Sequence, residues 1–308
     1  METRSATVAG VPPRDGRCGN DARDGESDPI QAPAESEGPP PAAPGSELVP
    51  GYRVVTLLRR GADLDVYDLW SDERGCRCVG KIVRPDRVER RVSERLRREG
   101  RLLLRLSHPH LVRAYDVTPG DPPMVVLETL AGETLSHLIR RRTRLKTLET
   151  AHLGLHLCSA LAYLHRNGVL HLDLKPSNVI SSCGIGKLLD LSVARAPGRS
   201  RGGIGTPGYM APEQISGGDL TPATDVWGLG ALLFEAATGQ EACPAPPDSP
   251  AGGIVPEWAP PSPVRSLRRL PQGLGPLIDR CLAEDPADRP PIEEVAQILT
   301  GVVLPSAR

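Results

Sequence analysis

The chain changes character near residue 50. Residues 1–50 are a run of Pro, Gly, Ser and acids, as in DPIQAPAESEGPPPAAPGSE, with almost no large apolar side chains. A segment that buries so little surface cannot offset its ordering entropy, so it is expected to be a disordered tail. From Tyr52 apolar positions recur closely. YRVVTLLRR and CRCVGKIV read as strands, and GADLDVYDLW between them as a turn running into a further strand. DRVERRVSERLRREGRLLLRL is charged throughout with leucines at its end, which predicts a surface helix with one buried stripe. LVRAYDV and PMVVLE add two short strands.

After Ala131 the period lengthens. In LETAHLGLHLCSALAYLHRNG, the leucines 153, 157, 161 and 164 recur at helical spacing, and Gly168 stands where the helix should stop. TPATDVWGLGALLFEAATG opens on Thr221-Pro222, closes at Gly239 and is apolar nearly all round, which predicts a buried central helix. PLIDRCLAEDP and PIEEVAQIL predict two more helices, and CPAPPDSPAGGIVPEWAPPSP a Pro-rich surface loop. The pattern is α+β: a small sheet with one helix, then a helical lobe.

Composition narrows the class. Of 308 residues 39% are hydrophobic but only one is Phe, so the core must be built from Leu, Val, Ile and Ala. The net charge of -1 gives no reason to expect a nucleic-acid or membrane-surface binder. The first fifty residues hold four basic and nine acidic side chains, leaving 33 against 29 for the rest, an acidic tail on a mildly basic body. Seven scattered cysteines without a C-x-x-C pair read as reduced thiols. No stretch has the apolar length of a signal peptide or of a membrane span (~18 residues), so a cytoplasmic protein is expected.

The stretch VLHLDLKPSNVI, Val169–Ile180, spaces Asp173, Lys175 and Asn178 between apolar residues. Alone, D-x-K-P-x-N could be a turn, since Asp, Pro, Ser and Asn favour turns. An ordered set of landmarks surrounds it: RRGADLDVY, Lys81 in CVGK, Glu99 in RREGRLLLRLSHPHLV, Asp190 in KLLDLSVAR, GTPGYMAPEQ, Asp225 in TDVWGLG and Arg289 in EDPADRP. In that order they resemble the protein kinase family, and among its members the eukaryotic-like serine/threonine kinases of bacteria, from about Tyr52 to Leu304.

The resemblance implies a two-lobed kinase fold over about residues 51–304, with an antiparallel β N-lobe to about 129 and a helical C-lobe from about 130. It implies Mg²⁺-assisted transfer of the ATP γ-phosphate to Ser or Thr hydroxyls of protein substrates, the chain itself included; Mn²⁺ suits the same ligands. Asp173 is then the base, Lys175 the cation on the transferring phosphate, Asn178 and Asp190 the metal ligands. Lys81, oriented by Glu99, holds the α/β-phosphates. Leu58, Gly61, Val66, Val79, Leu127, Leu130 and Ile180 line the ATP site, with the backbone from Glu128 to Leu130 on the purine edge. Thr206 bridges Asp173 and Lys175, Glu213 pairs with Arg289 under the substrate platform, and Asp225 anchors the catalytic loop.

Three departures from the family pattern stand out. The glycine-rich loop reads Arg59-Arg60-Gly61-Ala62-Asp63-Leu64-Asp65-Val66, keeping one glycine and placing two acids near the phosphates, which predicts weak ATP binding. Leu172 replaces the arginine that normally precedes the catalytic Asp, and the following loop offers only Ser192, Ser200 and Thr206 as acceptors, so regulation by loop phosphorylation is not expected. Gly80, before Lys81, is expected to loosen its strand. The arginines of RRVSERLRREGR read as a solvated face. Two rival functions share these residues: a pseudokinase signalling through protein contacts, and a small-molecule kinase of the aminoglycoside type, which the GTPGYMAPEQ platform disfavours. No sensor segment is recognisable, which leaves input to a regulatory partner or dimer.

Overall fold

The computed structural model describes residues 38–182, 184–244, 261–271 and 273–304. The elements in chain order are β1 (Glu47–Val49), β2 (Tyr52–Arg60), β3 (Leu64–Ser71), β4 (Cys76–Val83), α1 (Arg90–Arg105), β5 (Ala114–Val117), β6 (Met124–Glu128), β7 (Glu133–Thr134), α2 (Leu135–Arg142), α3 (Thr147–Arg166), β8 (Val179–Ser182), β9 (Ile185–Leu188), β10 (Gly198–Ser200), α4 (Pro212–Ser216), β11 (Gly218–Leu220), α5 (Pro222–Thr238), α6 (Val264–Leu267), α7 (Leu274–Cys281) and α8 (Ile292–Val303). β1 to β6 form one antiparallel sheet in the order β1-β2-β3-β4-β6-β5, and the helices from α2 onward make a second lobe. The expected α+β, two-lobed architecture is the one observed.

The sheet starts earlier than the sequence suggests. Glu47–Val49 pairs with β2, Gly45 N–H donates to Val54 O, and Ala42 N–H donates to the Tyr67 hydroxyl at 3.0 Å. Three strand residues between prolines and glycines are too few to show alternation, which is why a boundary near 50 was expected. The remainder of the expected tail lies outside the described residues, as does most of the Pro-rich loop.

Pairing sets the two faces of the sheet. Cross-strand partners share a face and neighbours along a strand alternate. Lys81 pairs with Val66 and Val125, and Val79 with Leu127, so these side chains share one face. Gly80, Tyr67 and Val126 occupy the other, where Leu69, Cys78, Ile82 and Met124 form a separate apolar cluster. Gly80 does not loosen β4: its strand pairs on both sides, and a Cβ there would run into Leu69 and lie 2.9 Å from Met124 Sδ. The glycine makes room for its neighbours. Gly80→Val is therefore expected to cost about 1–3 kcal/mol by overpacking, measured as a lower urea midpoint at unchanged slope. An unchanged midpoint would show that the cluster has slack.

In the helical lobe α5 is the central post. Trp227, Leu229, Leu232 and Leu233 are fully buried, and α3 packs Leu157, Leu161 and Leu164 into the same core. α3 ends as expected, with Gly168 at φ +70°, and Gly239 closes α5 at φ +81°.

Candidate active site

The segment between α3 and β8 is held from below by one buried carboxylate. Asp225, in the first turn of α5, accepts from His171 N–H (2.9 Å), Leu172 N–H (2.8 Å) and the His165 ring (2.8 Å). His171 Nδ1 accepts from Asp173 N–H at 3.2 Å, so its Nε2 carries the proton and donates to Leu189 O at 3.1 Å. These bonds hold Leu172 at φ +65°, a left-handed conformation costly for a branched side chain.

Above this anchor the predicted trio converges. Asp173 accepts from Asn178 Nδ2 (2.9 Å) and pairs with Lys175 Nζ (2.8 Å), while Thr206 Oγ1 lies 2.5 Å from both Asp173 Oδ1 and Lys175 Nζ. Thr206 thus joins the two side chains from the segment before α4. Because the Asn178 amide nitrogen is spent on Asp173, its oxygen is the end left to face outward.

A second cluster comes from the sheet. Lys81 on β4 bonds both carboxylate oxygens of Glu99 at 2.9 Å and sits 3.3 Å from Asp190. Burial disfavours its charge, but the two carboxylates outweigh that and raise its pKa. Burial likewise opposes the Asp190 charge, yet Lys81 and the Ser192 N–H hold this carboxyl well below its usual range. Glu99 moves the other way, pushed up first by burial and further by the Asp190 charge, which the Lys81 ammonium does not fully offset. Asp190 stands at φ +57°, with Ser192 N–H donating to it at 2.9 Å.

The remaining predicted residues fall around these clusters. Val66, Val79 and Leu127 are half-buried and apolar on the sheet face of Lys81, and Leu130 and Ile180 are half-buried as well. Leu58 is the extra residue of a bulge in β2 and is 54% exposed. Among the described residues, no backbone hydrogen bond uses the N–H or C=O of Leu130. The Glu128 side chain bonds Lys187 and the Arg113 N–H instead. Arg289 and Glu213 make a bidentate buried pair at 2.7 and 2.9 Å.

Both clusters, Asp173 with Lys175 and Thr206 and the lysine–glutamate–aspartate set, lie within residues 52–299, which a protein kinase domain model matches. The chain belongs to the protein kinase family. It is 35% identical to the serine/threonine-protein kinase PknK of Mycobacterium tuberculosis over 263 residues, which is 81% of this chain and 23% of that protein. It is 36% identical to PkaA of Streptomyces coelicolor (68% of this chain, 39% of that protein) and 32% identical to PknD of M. tuberculosis (80% and 38%), both also serine/threonine-protein kinases. The chain spans between about a quarter and two fifths of these relatives' lengths.

Within this kinase domain the eroded loop is a closed hairpin, and its acids are not where loop position suggests. Asp65 pairs with Arg60 on the outer face, away from Lys81; it is buried, near the Arg60 guanidinium (3.4 Å) and accepts from the Tyr67 hydroxyl (3.3 Å). Asp63 is neutralised by Arg95 of α1 at 2.9 Å. Arg59 pairs with Val66 and so brings a cation to the Lys81 face. Neither acid therefore sets an unpaired negative charge against the phosphates, and weak ATP binding is expected from the hairpin backbone instead. Gly61 N–H is spent on Leu64 O, and the buried Arg84 donates to Gly61 O at 3.1 Å. Backbone donors tied up in the hairpin cannot wrap a phosphate. A Michaelis constant for ATP near about 1 mM is expected from steady-state kinetics; a low-micromolar value would show that the hairpin opens.

Gln214 went unread in the sequence. It is 2% exposed; its amide donates to Leu172 O (2.9 Å) and Ile204 O (2.7 Å) and its oxygen accepts from Ala211 N–H (3.0 Å). It ties the segment after Asp190 to the catalytic loop at the place where a phosphate-reading arginine is replaced by Leu172. His171 also went unmarked, although it is the lone basic residue in VLHLDL, and Gln214 follows Glu213 with nothing to mark it as buried.

Proposed function

We propose that this chain is an ATP-dependent serine/threonine protein kinase acting on protein substrates and on itself. The observation that carries the reading is Asp173, whose carboxylate is fixed by Lys175, Thr206 and Asn178 and stands apart from the Lys81–Glu99–Asp190 cluster. The names of the relatives support the same reaction class.

In this reading Lys81 holds the α/β-phosphates, and Val66, Val79, Leu127 and Ile180 pack on the adenine, whose edge meets the Leu130 backbone. Asp190 and the Asn178 amide oxygen are hard oxygen donors that would hold Mg²⁺ or Mn²⁺, which neutralises phosphate charge when bound. Asp173 orients the substrate hydroxyl and takes its proton as the oxygen bonds to the γ-phosphorus and the bond to the β-phosphate oxygen breaks. Lys175 faces the charge on the transferring group, and Thr206 keeps Asp173 and Lys175 in register. Among the described residues no helix is long and apolar enough to cross a membrane, and we place the chain in the cytoplasm.

Phosphosite mass spectrometry after incubation with Mg²⁺ and ATP tests the proposal, with Asp190→Asn as the control. Phosphoserine or phosphothreonine in the wild type alone is expected. No phosphate on either protein or on a generic basic substrate at high ATP would leave a pseudokinase, the reading that the closed hairpin favours.

A further inference from the structure

The hairpin between β2 and β3 is tied down from three directions. Arg84, just past β4, donates to the carbonyls of Gly61 and Ala62, and Arg95 of α1 pairs with Asp63. The third tie comes from ahead of the sheet. Arg60 Nη2 donates to Pro39 O at 2.7 Å, and Ala42 N–H donates to the Tyr67 hydroxyl at 3.0 Å. That hydroxyl in turn donates to Asp65 Oδ2 at 3.3 Å, while Asp65 Oδ1 lies 3.4 Å from Arg60 Nε. Pro39 and Ala42 are thus joined to both strands at the hairpin base through one chain of polar groups, on the face opposite Lys81.

The stretch reads Pro39-Pro40-Pro41-Ala42, so φ is preset over three residues and little entropy is lost when it lies down. Proline has no N–H, which leaves Ala42 with the one backbone donor of the four, and that donor goes to Tyr67. Arg84 is buried and uses the rest of its fork on Asp86. The Pro39 bond is at the surface, and of residues 39–44 only Ala42 packs on the apolar cluster beneath, so this stretch can leave without opening the core.

The pair at the end of this tie is poorly satisfied. Asp65 is 1% exposed, yet its Oδ1 and the facing Arg60 Nε make no hydrogen bond among the described residues. Burial pushes the Asp65 carboxyl up by more than Arg60 and the Tyr67 hydroxyl pull it down. A buried charge bonded this incompletely gains by meeting water.

We propose that Pro39–Ala42 is a strap that keeps the hairpin closed, with Arg60 and Tyr67 as the positioning residues that carry the coupling. While the strap is down, Pro39 O and Ala42 N–H occupy the outer ends of Arg60 and Tyr67. Once it is drawn aside, water reaches the Arg60–Asp65 pair and the hairpin base widens. The Gly61 N–H, spent on Leu64 O in the closed form, is then free to meet an anion. That this anion is a nucleotide phosphate rests on the kinase reading; the coupling of strap to hairpin does not.

Hydrogen exchange of the full chain measures the coupling without any phosphoryl transfer. Ala42→Pro deletes the donor and alters neither hairpin nor sheet; the Gly61 amide should exchange about tenfold faster, with amides at the centre of β4 and β6 unchanged. Arg60→Lys should do the same, since one ammonium can keep Asp65 but not Asp65 and Pro39 O together. Pro44→Ala, beyond the bonded stretch, should exchange as wild type. Isothermal titration with Mg²⁺ and ADP reads the gate: each strap variant should bind about threefold tighter, because a larger fraction of the chain is open. Unchanged Gly61 exchange in both strap variants, faster exchange that β4 and β6 share, or an equal effect of Pro44→Ala overturns the proposal. Faster Gly61 exchange with unchanged nucleotide affinity upholds the strap and counts against the kinase reading of the hairpin instead.

Discussion

Asp173→Asn should lower kcat by about 10²–10⁴ while leaving the Michaelis constant for ATP nearly unchanged. The amide keeps the shape of the carboxylate but cannot accept the substrate's proton. The nucleotide side of the site does not depend on it, because Lys81, Glu99 and Asp190 are held by one another. The fold should also survive, since the Asp173 backbone is held through His171 and its side chain is at the rim of the core. Steady-state kinetics with a peptide substrate and a melting curve check both halves. A loss under tenfold with an intact fold would reduce Asp173 to a positioning role, and a matching loss in ATP affinity would place it among the phosphate contacts.

The largest effect on stability is expected for Arg289→Ala, a loss of about 3–5 kcal/mol. All the donor nitrogens of this guanidinium are used, on Glu213 and on the carbonyls of Ala223, Ala283 and Glu284, and it lies 5.1 Å over the Trp227 ring. Removing it strands a carboxylate and three carbonyls against the end of α5. Since a domain of this kind has roughly 5–15 kcal/mol in total, the variant should be partly unfolded at moderate temperature. Arg289→Lys should not rescue it, because an ammonium cannot match a bidentate carboxylate and three carbonyls at once. Chemical denaturation measures the difference; a loss below about 1 kcal/mol would mean that solvent reaches the pair.

How far the sequence could be read depends on whether a feature is local. The strands around Lys81, the helix that ends at Gly168 and the buried post from Pro222 to Thr238 were legible because their patterns repeat within a single element. The kinase landmarks were legible because their order is itself information. Asp65 was misplaced by reading it from its position in a loop motif, although alternation from Val66 already sends it to the opposite face. The strand Glu47–Val49 was too short to show a period. Gln214 became visible only when segments far apart in sequence were brought together, since a lone amide does not announce what it will meet.

The bonds to Asp225 also set a timescale. The amides of His171 and Leu172 donate to a carboxylate rooted in a helix buried on every side, so there is no local opening that could free them. In deuterated solvent they should be among the last in the chain to exchange, releasing their protons only when the whole lobe unfolds. On the kinase reading, phosphoryl transfer at this loop would then not require the loop itself to move.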